Sequence, residues 1–175
     1  MDMKKILVIL LTIFTGISYS FIESTPGGQE VIDYCLKDMS REDSYKLLKP
    51  YRYSSFKYKT FTAKDYNQVK ETIVELLDDM PYKLIFNKKG LPTGQSVNIV
   101  VYDKPYGKKN RTELFRDAGS EEVVVFETSS LNDFYKRLYV EYELPAIEAD
   151  LAETVTVKGC VTLTVGYNAL QFDRK

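Results

Sequence analysis

The clearest strand pattern in the chain is TVTVKGCVTLTV, residues 154–165. Valine and leucine occupy alternate positions on one face, while threonine, lysine and Cys160 occupy the other. Successive side chains of a β-strand point to opposite faces, so this stretch predicts a strand with one apolar face. Gly159 interrupts that apolar face, and we expect a bulge or a bend there.

Cys160 connects this strand to the N-terminal part of the chain. The only other cysteine is Cys35, 125 positions earlier. Residues 29–39 predict a helix, because apolar residues recur there at helical spacing. These residues are Val31, Ile32, Cys35, Leu36 and Met39. Two cysteines in an exported chain favour a Cys35–Cys160 disulfide, with two separate free thiols as the alternative. The bridge requires the N-terminal helix to lie over the threonine face of the last strand.

Export is predicted by the first twenty residues. Lys4 and Lys5 precede a mostly apolar run over residues 6–17, and small residues at Ser18 and Ser20 suit a cleavage site after Ser20. This three-part order is typical of a secretory signal peptide. An uncleaved anchor is the alternative, but a spanning helix needs roughly 20 apolar residues. We therefore expect a periplasmic or secreted protein with no stable membrane anchor after cleavage.

The remaining chain has the size of one domain. We assign residues 21–28 to a flexible entry segment and residues 29–175 to a single domain. Removal of residues 1–20 leaves 22 basic and 24 acidic residues. This near balance argues against a dedicated nucleic-acid binder, which is usually strongly basic. The chain contains no histidine, which excludes Ser-His-Asp and Cys-His catalysis and the usual histidine-containing zinc sites. We expect no cofactor and no metal.

Short strands are predicted between these ends. They cover residues 53–61, 82–86, 96–102, 111–116 and 122–126. In the first strand, Phe56 and Tyr58 lie on a face that we expect to be covered, and Lys57 and Lys59 lie on a face that we expect to be in water. The last of these strands is a continuous apolar run, which predicts a central strand covered on both faces.

Two longer segments have helical periodicity. The stripe over residues 62–80 consists of Ala63, Tyr66, Val69, Ile73, Leu76, Leu77 and Met80. The stripe over residues 129–142 consists of Leu131, Phe134, Tyr135, Leu138, Tyr139 and Tyr142. A further short helix is expected from Ser40 to the residue before Pro50.

These elements predict an α+β fold. We expect a largely antiparallel sheet, with a mixed sheet left open, and two main amphipathic helices packed on one face. The N-terminal helix is added to these two. A ferredoxin-like β-α-β-β-α-β core with an added hairpin is one arrangement that fits.

A basic turn offers the first candidate binding residues. We select Tyr106, Lys108, Lys109 and Arg111, because loops often carry function and tyrosine and arginine are enriched at protein interfaces. A solvated turn is the alternative.

Two charged stretches offer further candidates. Residues 46–64 interleave basic and aromatic side chains without an acid, a combination that can hold a polyanion or a glycan. The alternative, an amphipathic strand with its lysines in water, fits the alternation better. The acidic run consists of Glu141, Glu143, Glu148, Asp150 and Glu153. It could bind a hard cation or supply two catalytic carboxylates, but a solvated helix end and connector explains it more simply.

These features favour a non-catalytic, exported binding protein. Its partner would be another protein of the envelope or the extracellular space, and its role that of an inhibitor, an immunity-type factor or an accessory factor. Fourteen tyrosines and segregated charge suit such a role. The alternatives are a small hydrolase with paired carboxylates and a structural subunit of a surface assembly.

Overall fold

The computed structural model describes residues 35, 38–77, 80–92, 94–117, 119, 121–147 and 158–169. The helix of this part of the chain is α1 (Asp38–Leu48). The strands are β1 (Arg52–Thr62), β2 (Gln68–Glu75), β3 (Tyr82–Asn87), β4 (Asn98–Tyr102), β5 (Glu113–Arg116), β6 (Val123–Glu127), β7 (Arg137–Leu144) and β8 (Lys158–Tyr167). A single 3-10 turn (Thr128–Ser130) follows β6. Within the described residues, no helix has the length and apolar character needed to cross a membrane.

The strands form two antiparallel sheets of four strands each. Sheet A has the order β1-β8-β3-β6, and sheet B has the order β2-β7-β4-β5. This division of eight strands between two sheets is that of a jelly roll, a sandwich with Greek-key connections. The two inner faces enclose one apolar core, to which β3, β4, β7 and β8 contribute most of the fully buried side chains.

The predicted α+β fold is therefore wrong. The described part of the chain is mostly β-sheet, with eight strands in two antiparallel sheets and one α-helix in place of two main helices. Both predicted main helices contain strands instead: residues 62–80 contain β2, and residues 129–142 contain most of β7. These two strands pair with each other along their whole length, from Gln68 opposite Leu144 to Glu75 opposite Arg137.

The periodicity of β7 explains the wrong prediction of a helix over residues 129–142. Leu138, Val140, Tyr142 and Leu144 are buried in the core, and the residues between them point outward. Apolar and polar side chains thus alternate with a period of two over residues 137–144, except at Tyr139. The aromatic side chain of Tyr139, together with the apolar residues before the strand, produced the apparent helical stripe.

The stripe over residues 62–80 has a different origin. Its members Tyr66, Val69, Ile73 and Leu77 are exposed large hydrophobic side chains, so they do not form the buried face of a helix. Four of the eight residues of β2 are β-branched, which favours an extended chain. In this segment, the content of β-branched residues is therefore a better guide to secondary structure than the spacing of the apolar residues.

The position of β6 also differs from the prediction. The apolar run over residues 122–126 does form a strand, but β6 lies at the edge of sheet A and pairs only with β3 among the described strands. Val125 points outward and is exposed. A continuous apolar run thus did not require cover on both faces.

The last strand is confirmed and is central in sheet A, between β1 and β3. Its threonine face is buried, as the predicted disulfide required: Thr162 and Thr164 are almost inaccessible. The helix α1 packs against this outer face of sheet A, and it runs through Ser40, where a separate second helix was expected. Residues 1–34, with the predicted signal peptide and entry segment, lie outside the described residues, as does most of the helix expected over residues 29–39.

Cys35 and Cys160 are brought together beneath this cover. Their Cα atoms are 6.4 Å apart, and their Sγ atoms lie within disulfide distance. Both residues are fully buried. The pair is compatible with the predicted disulfide and with an oxidising environment.

The C-terminal end of α1 is held to sheet A by a charged cluster. The Lys83 ammonium lies 2.9 Å from a Glu127 carboxylate oxygen and donates to the backbone oxygen of Leu47 at 3.4 Å. The Tyr51 hydroxyl donates to Glu127 at 2.9 Å. A cation at this end of a helix is favoured by the helix dipole.

The strand predicted over residues 53–61 is confirmed as β1, but the assignment of its faces is wrong. Phe61 lies in the core, so Lys59 and Lys57 share its inward face. Tyr58, on the other face, is exposed. The two lysines instead reach across the side of the sandwich toward β2.

Candidate functional site

Three loops meet at one end of the sandwich. They are the β2–β3 loop (residues 76–81), the β4–β5 loop (residues 103–112) and the β6–β7 loop (residues 128–136). The strand pairs place them together, because the ends of β2 and β4 both lie beside the start of β7, and the end of β6 lies beside the start of β3. We call these three loops the loop end.

Each loop of the loop end presents one large apolar side chain to solvent. Leu77 is 67% exposed, Tyr106 is 70% exposed and Phe134 is 73% exposed. These are the three most exposed large hydrophobic residues in the part of the chain that the structure describes. Scattered apolar residues are normal on a protein surface, but their concentration on the loops of one end is typical of an interaction site.

A small pocket lies between the β2–β3 and β6–β7 loops. Its volume is about 210 Å³, below the roughly 300–1,000 Å³ of sites for drug-sized ligands. The lining side chains include Leu76, Leu77, Met80, Leu131, Phe134 and Tyr135. The pocket is therefore large enough for a single side chain of a partner.

Hydrogen bonds hold the walls of this pocket in place. The Tyr82 hydroxyl accepts from the Leu77 backbone N–H at 2.8 Å. The Tyr82 backbone N–H donates to the Thr128 hydroxyl at 2.8 Å. The first strand residue after one loop thus fixes both loops.

The β4–β5 loop is braced by its own polar groups. The Lys104 ammonium donates to the Asn110 carbonyl at 2.6 Å, and the Arg111 Nε donates to the Lys104 carbonyl at 2.7 Å. The Thr112 N–H donates to an Asp103 carboxylate oxygen at 2.6 Å. Asn110 adopts a positive φ of 57°, a conformation that asparagine tolerates better than most residues. These bonds preform the loop without a partner.

Arg111 anchors this loop to the outer face of sheet B. Its guanidinium lies 2.7 Å from Glu141 and 3.2 Å from Glu71, and it stacks over the Tyr102 ring at 3.5 Å. Its side chain is only 13% exposed. The Tyr106 backbone N–H donates to the same Glu71 carboxylate at 2.8 Å. Arg111 is thus a positioning residue, while Tyr106 stands at the exposed tip of the loop.

The other two selected residues, Lys108 and Lys109, are exposed at the tip beside Tyr106. The backbone N–H of Lys108 closes a turn onto the Pro105 carbonyl at 3.2 Å. The structure thus brings all four selected residues into one loop, with three at its tip and Arg111 at its base.

Two groups of the loop end have shifted pKa values. Burial would raise the pKa of Asp103, but the bond from the Thr112 N–H and the charge of Lys104 lower it. Burial raises the pKa of Tyr135, and the charges of Asp133 and Asp103 add to the shift. Asp103 belongs to the β4–β5 loop and Tyr135 to the β6–β7 loop, so a charge of one loop acts on a side chain of the other.

The described carboxylates on the outer face of β2 and β7 near this end are paired with arginines. Glu71 and Glu141 lie opposite each other on β2 and β7, but the Arg111 guanidinium occupies the space between their carboxylates. Glu143 pairs with Arg116 at 3.0 Å. The remaining members of the acidic run, Glu148, Asp150 and Glu153, lie outside the described residues.

Leu77 and Phe134 were missed from the sequence because each was assigned to a predicted helix. Loop-forming residues beside them carried the contrary signal. Pro81 follows Leu77 closely, and residues 129–133 read SSLND, a cluster of serine, asparagine and aspartate that favours a loop.

Comparisons with known proteins add little to this picture. No protein-family model matches the chain, and no curated protein matches it. Among solved structures, the chain is similar to the mitogen derived from Yersinia pseudotuberculosis, with a TM-score of 0.37 and 9% identity. The match covers 66% of this chain and 87% of the mitogen chain. A similarity this low carries no argument about this chain.

Proposed function

We propose that this protein is an exported, non-catalytic binding domain that engages a protein partner through the loop end. The observation that carries the proposal is the placement of Leu77, Tyr106 and Phe134, one on each loop of the same end. Exposed apolar anchors around a small pocket match the usual composition of an interface core.

The braced β4–β5 loop supports this proposal. A loop already held in its binding conformation loses less entropy when it binds. Tyr106 offers a large contact area with few rotatable bonds, and Lys108 and Lys109 provide a positive rim beside it. The partner that fits has an apolar side chain for the pocket and acidic residues facing these lysines.

Export is the second part of the proposal. The pattern of residues 1–20 motivates it, and the buried Cys35–Cys160 pair supports it, since disulfides persist in oxidising compartments. Edman sequencing of the protein recovered from the periplasm or the medium should begin at Phe21. Recovery from the cytoplasm with residues 1–20 attached would show that export is wrong.

The binding role is tested with a matched pair of double variants. Leu77→Ser/Phe134→Ser removes two anchors of the loop end, and Tyr66→Ser/Val69→Ser removes two exposed apolar side chains elsewhere. Partners are captured from the envelope and medium of the source organism with wild-type protein, identified, purified and measured by calorimetry. We expect Kd to rise about 1,000-fold for the first variant, because the two interface anchors contribute roughly 2 kcal/mol or more each, while the second changes Kd less than about threefold.

Two outcomes would overturn the binding role. One is an equal loss of affinity in both double variants. The other is the capture of no partner together with turnover of an envelope polymer by the wild-type protein, which would favour the hydrolase alternative.

A further inference from the structure

Three lysines line the open side of the sandwich, where β1 of sheet A faces β2 of sheet B. The Lys57 ammonium donates to the Ile73 carbonyl at 2.6 Å, and the Lys59 ammonium donates to the Glu71 carbonyl at 3.4 Å. The Lys70 ammonium donates in the opposite direction, to the Thr60 carbonyl at 3.1 Å. We call Lys57, Lys59 and Lys70 the lysine row.

The lysine row has no acidic partner in the described part of the chain. The chain contains 25 acidic residues, and lysines elsewhere pair with them, as Lys83 does with Glu127 and Lys88 with Asp117. No described carboxylate lies within ion-pair distance of the three ammonium groups of the row. The positive charges of the row also act on one another. Burial lowers the pKa of Lys70, and the charge of Lys59 lowers it further.

The row is preformed for a ligand with repeated negative charges. Each ammonium has three donors, and one of them is used on a backbone carbonyl, which fixes the position of the charge. Alternate residues of a strand are roughly 6.5–7 Å apart, so Lys57 and Lys59 are spaced along a line rather than gathered around a point.

We propose that the lysine row binds a linear acidic polysaccharide, with its carboxylate or sulfate groups on the three ammonium groups. The choice of a polysaccharide over a nucleic acid rests on the export proposed above and on the net charge of −1 of the chain, which is unlike that of a nucleic-acid binder. The site lies on the side of the sandwich and is distinct from the loop end.

The test compares two double variants that each remove two positive charges. Lys57→Gln/Lys70→Gln alters the lysine row and retains amide donors for the carbonyl groups, whereas Lys108→Gln/Lys109→Gln alters the tip of the β4–β5 loop. Binding of the chain from residue 21 onward to alginate and to heparin oligosaccharides is measured by calorimetry at low salt. Alginate carries carboxylates, and heparin carries sulfates as well, so the two probes distinguish the anionic group.

We expect the lysine-row variant to lose about tenfold or more in affinity, the loop-tip variant to change less than about threefold, and added salt to weaken wild-type binding. Lys57→Arg/Lys70→Arg, which keeps both charges, should retain binding. Should the glutamine variant fail to fold, NMR titration of the wild type decides: the largest shift changes should map to residues 57–61 and 68–73.

Three results would overturn the proposal. They are no binding to either probe, an equal loss in both glutamine variants, and stronger binding to single-stranded DNA than to either polysaccharide. Leu77→Ser/Phe134→Ser should leave polysaccharide binding unchanged, so this site and the loop end can fail independently.

Discussion

The outer faces of the two sheets differ in what lies over them. On sheet A, Ile85, Cys160 and Thr164 point outward and are nevertheless fully buried, because α1 and Cys35 lie on this face. On sheet B, the outward side chains of β7 include Glu141 and Glu143. Their carboxylates form ion pairs with arginines, where sheet A has apolar packing.

The difference shows that the two outer faces of one sandwich are stabilised in different ways. The face beneath α1 can bury β-branched residues and a cysteine pair, and it gains stability from them. The outer face of sheet B carries ion pairs, and its Arg111 anchors the β4–β5 loop. Three sets of variants test this contrast.

Loss of the cysteine pair should have the largest effect. In the chain-entropy model, a bridge that closes a loop of 125 positions contributes about 5 kcal/mol to the free energy of unfolding. Cys35→Ala/Cys160→Ala should therefore lower this free energy by about that amount in urea unfolding. Two reactive thiols in the denatured, unreduced wild type would contradict the bridge.

Arg111→Met should have the next largest effect. It leaves Glu141, whose side chain is 5% exposed, without its cation, and breaking such a pair typically costs about 3–5 kcal/mol. Arg116→Met is the matched control on the same face, because Arg116 is 42% exposed and exposed pairs contribute about 1 kcal/mol or less. Urea unfolding of both variants measures the difference, and equal losses would show that the Arg111 network is not the buried anchor of this face.

The smallest effect concerns the cluster that fastens α1 to sheet A. Burial would raise the pKa of Glu127, but hydrogen bonds from Lys83 and Tyr51 lower it in the folded protein. A carboxylate with a lowered pKa stabilises the fold above its unfolded pKa of about 4.3, and this stabilisation is lost as the pH falls through the folded value. Glu127→Gln should therefore lower the free energy of unfolding by about 1 kcal/mol at pH 7.

Below the lowered pKa of Glu127 in the folded protein, the same variant should match the wild type, because both side chains are then uncharged. Urea unfolding at a series of pH values provides the comparison. A difference that stays constant as the pH falls from 7 through this lowered pKa would mean that the Glu127 charge does not hold the helix.

Much of the sheet could be predicted from local alternation. The sequence predicts strands at the positions of β1, β3, β4, β5, β6 and β8. Each of these segments contains a short run with a period of two or a continuous apolar run between turn residues. The sequence also predicts the loop with Tyr106, Lys108 and Lys109, because proline, glycine and asparagine mark it as a turn.

The candidate site could be predicted only in part. Leu77 and Phe134 flank β2 and β7, and the sequence predicts helices in place of both strands. Apolar residues can have the same spacing in the sequence whether they form the buried face of a helix or are exposed on strands and loops. The choice depended on the pairing of β2 with β7, whose partners are more than 60 residues apart, and no local pattern contains that information.

Residue types and the spacing between neighbours thus suffice to predict the alternating strands, the cysteine pair and the exclusion of histidine chemistry. Which faces are covered, which strands lie at edges and which loops meet are properties of the tertiary fold. Those properties depend on contacts between residues distant in the chain, such as α1 on β8 and the lysines of β1 on β2. The last strand illustrates both: its alternation can be read from the sequence, but the burial of its threonine face depends on α1 and Cys35, which pack upon it.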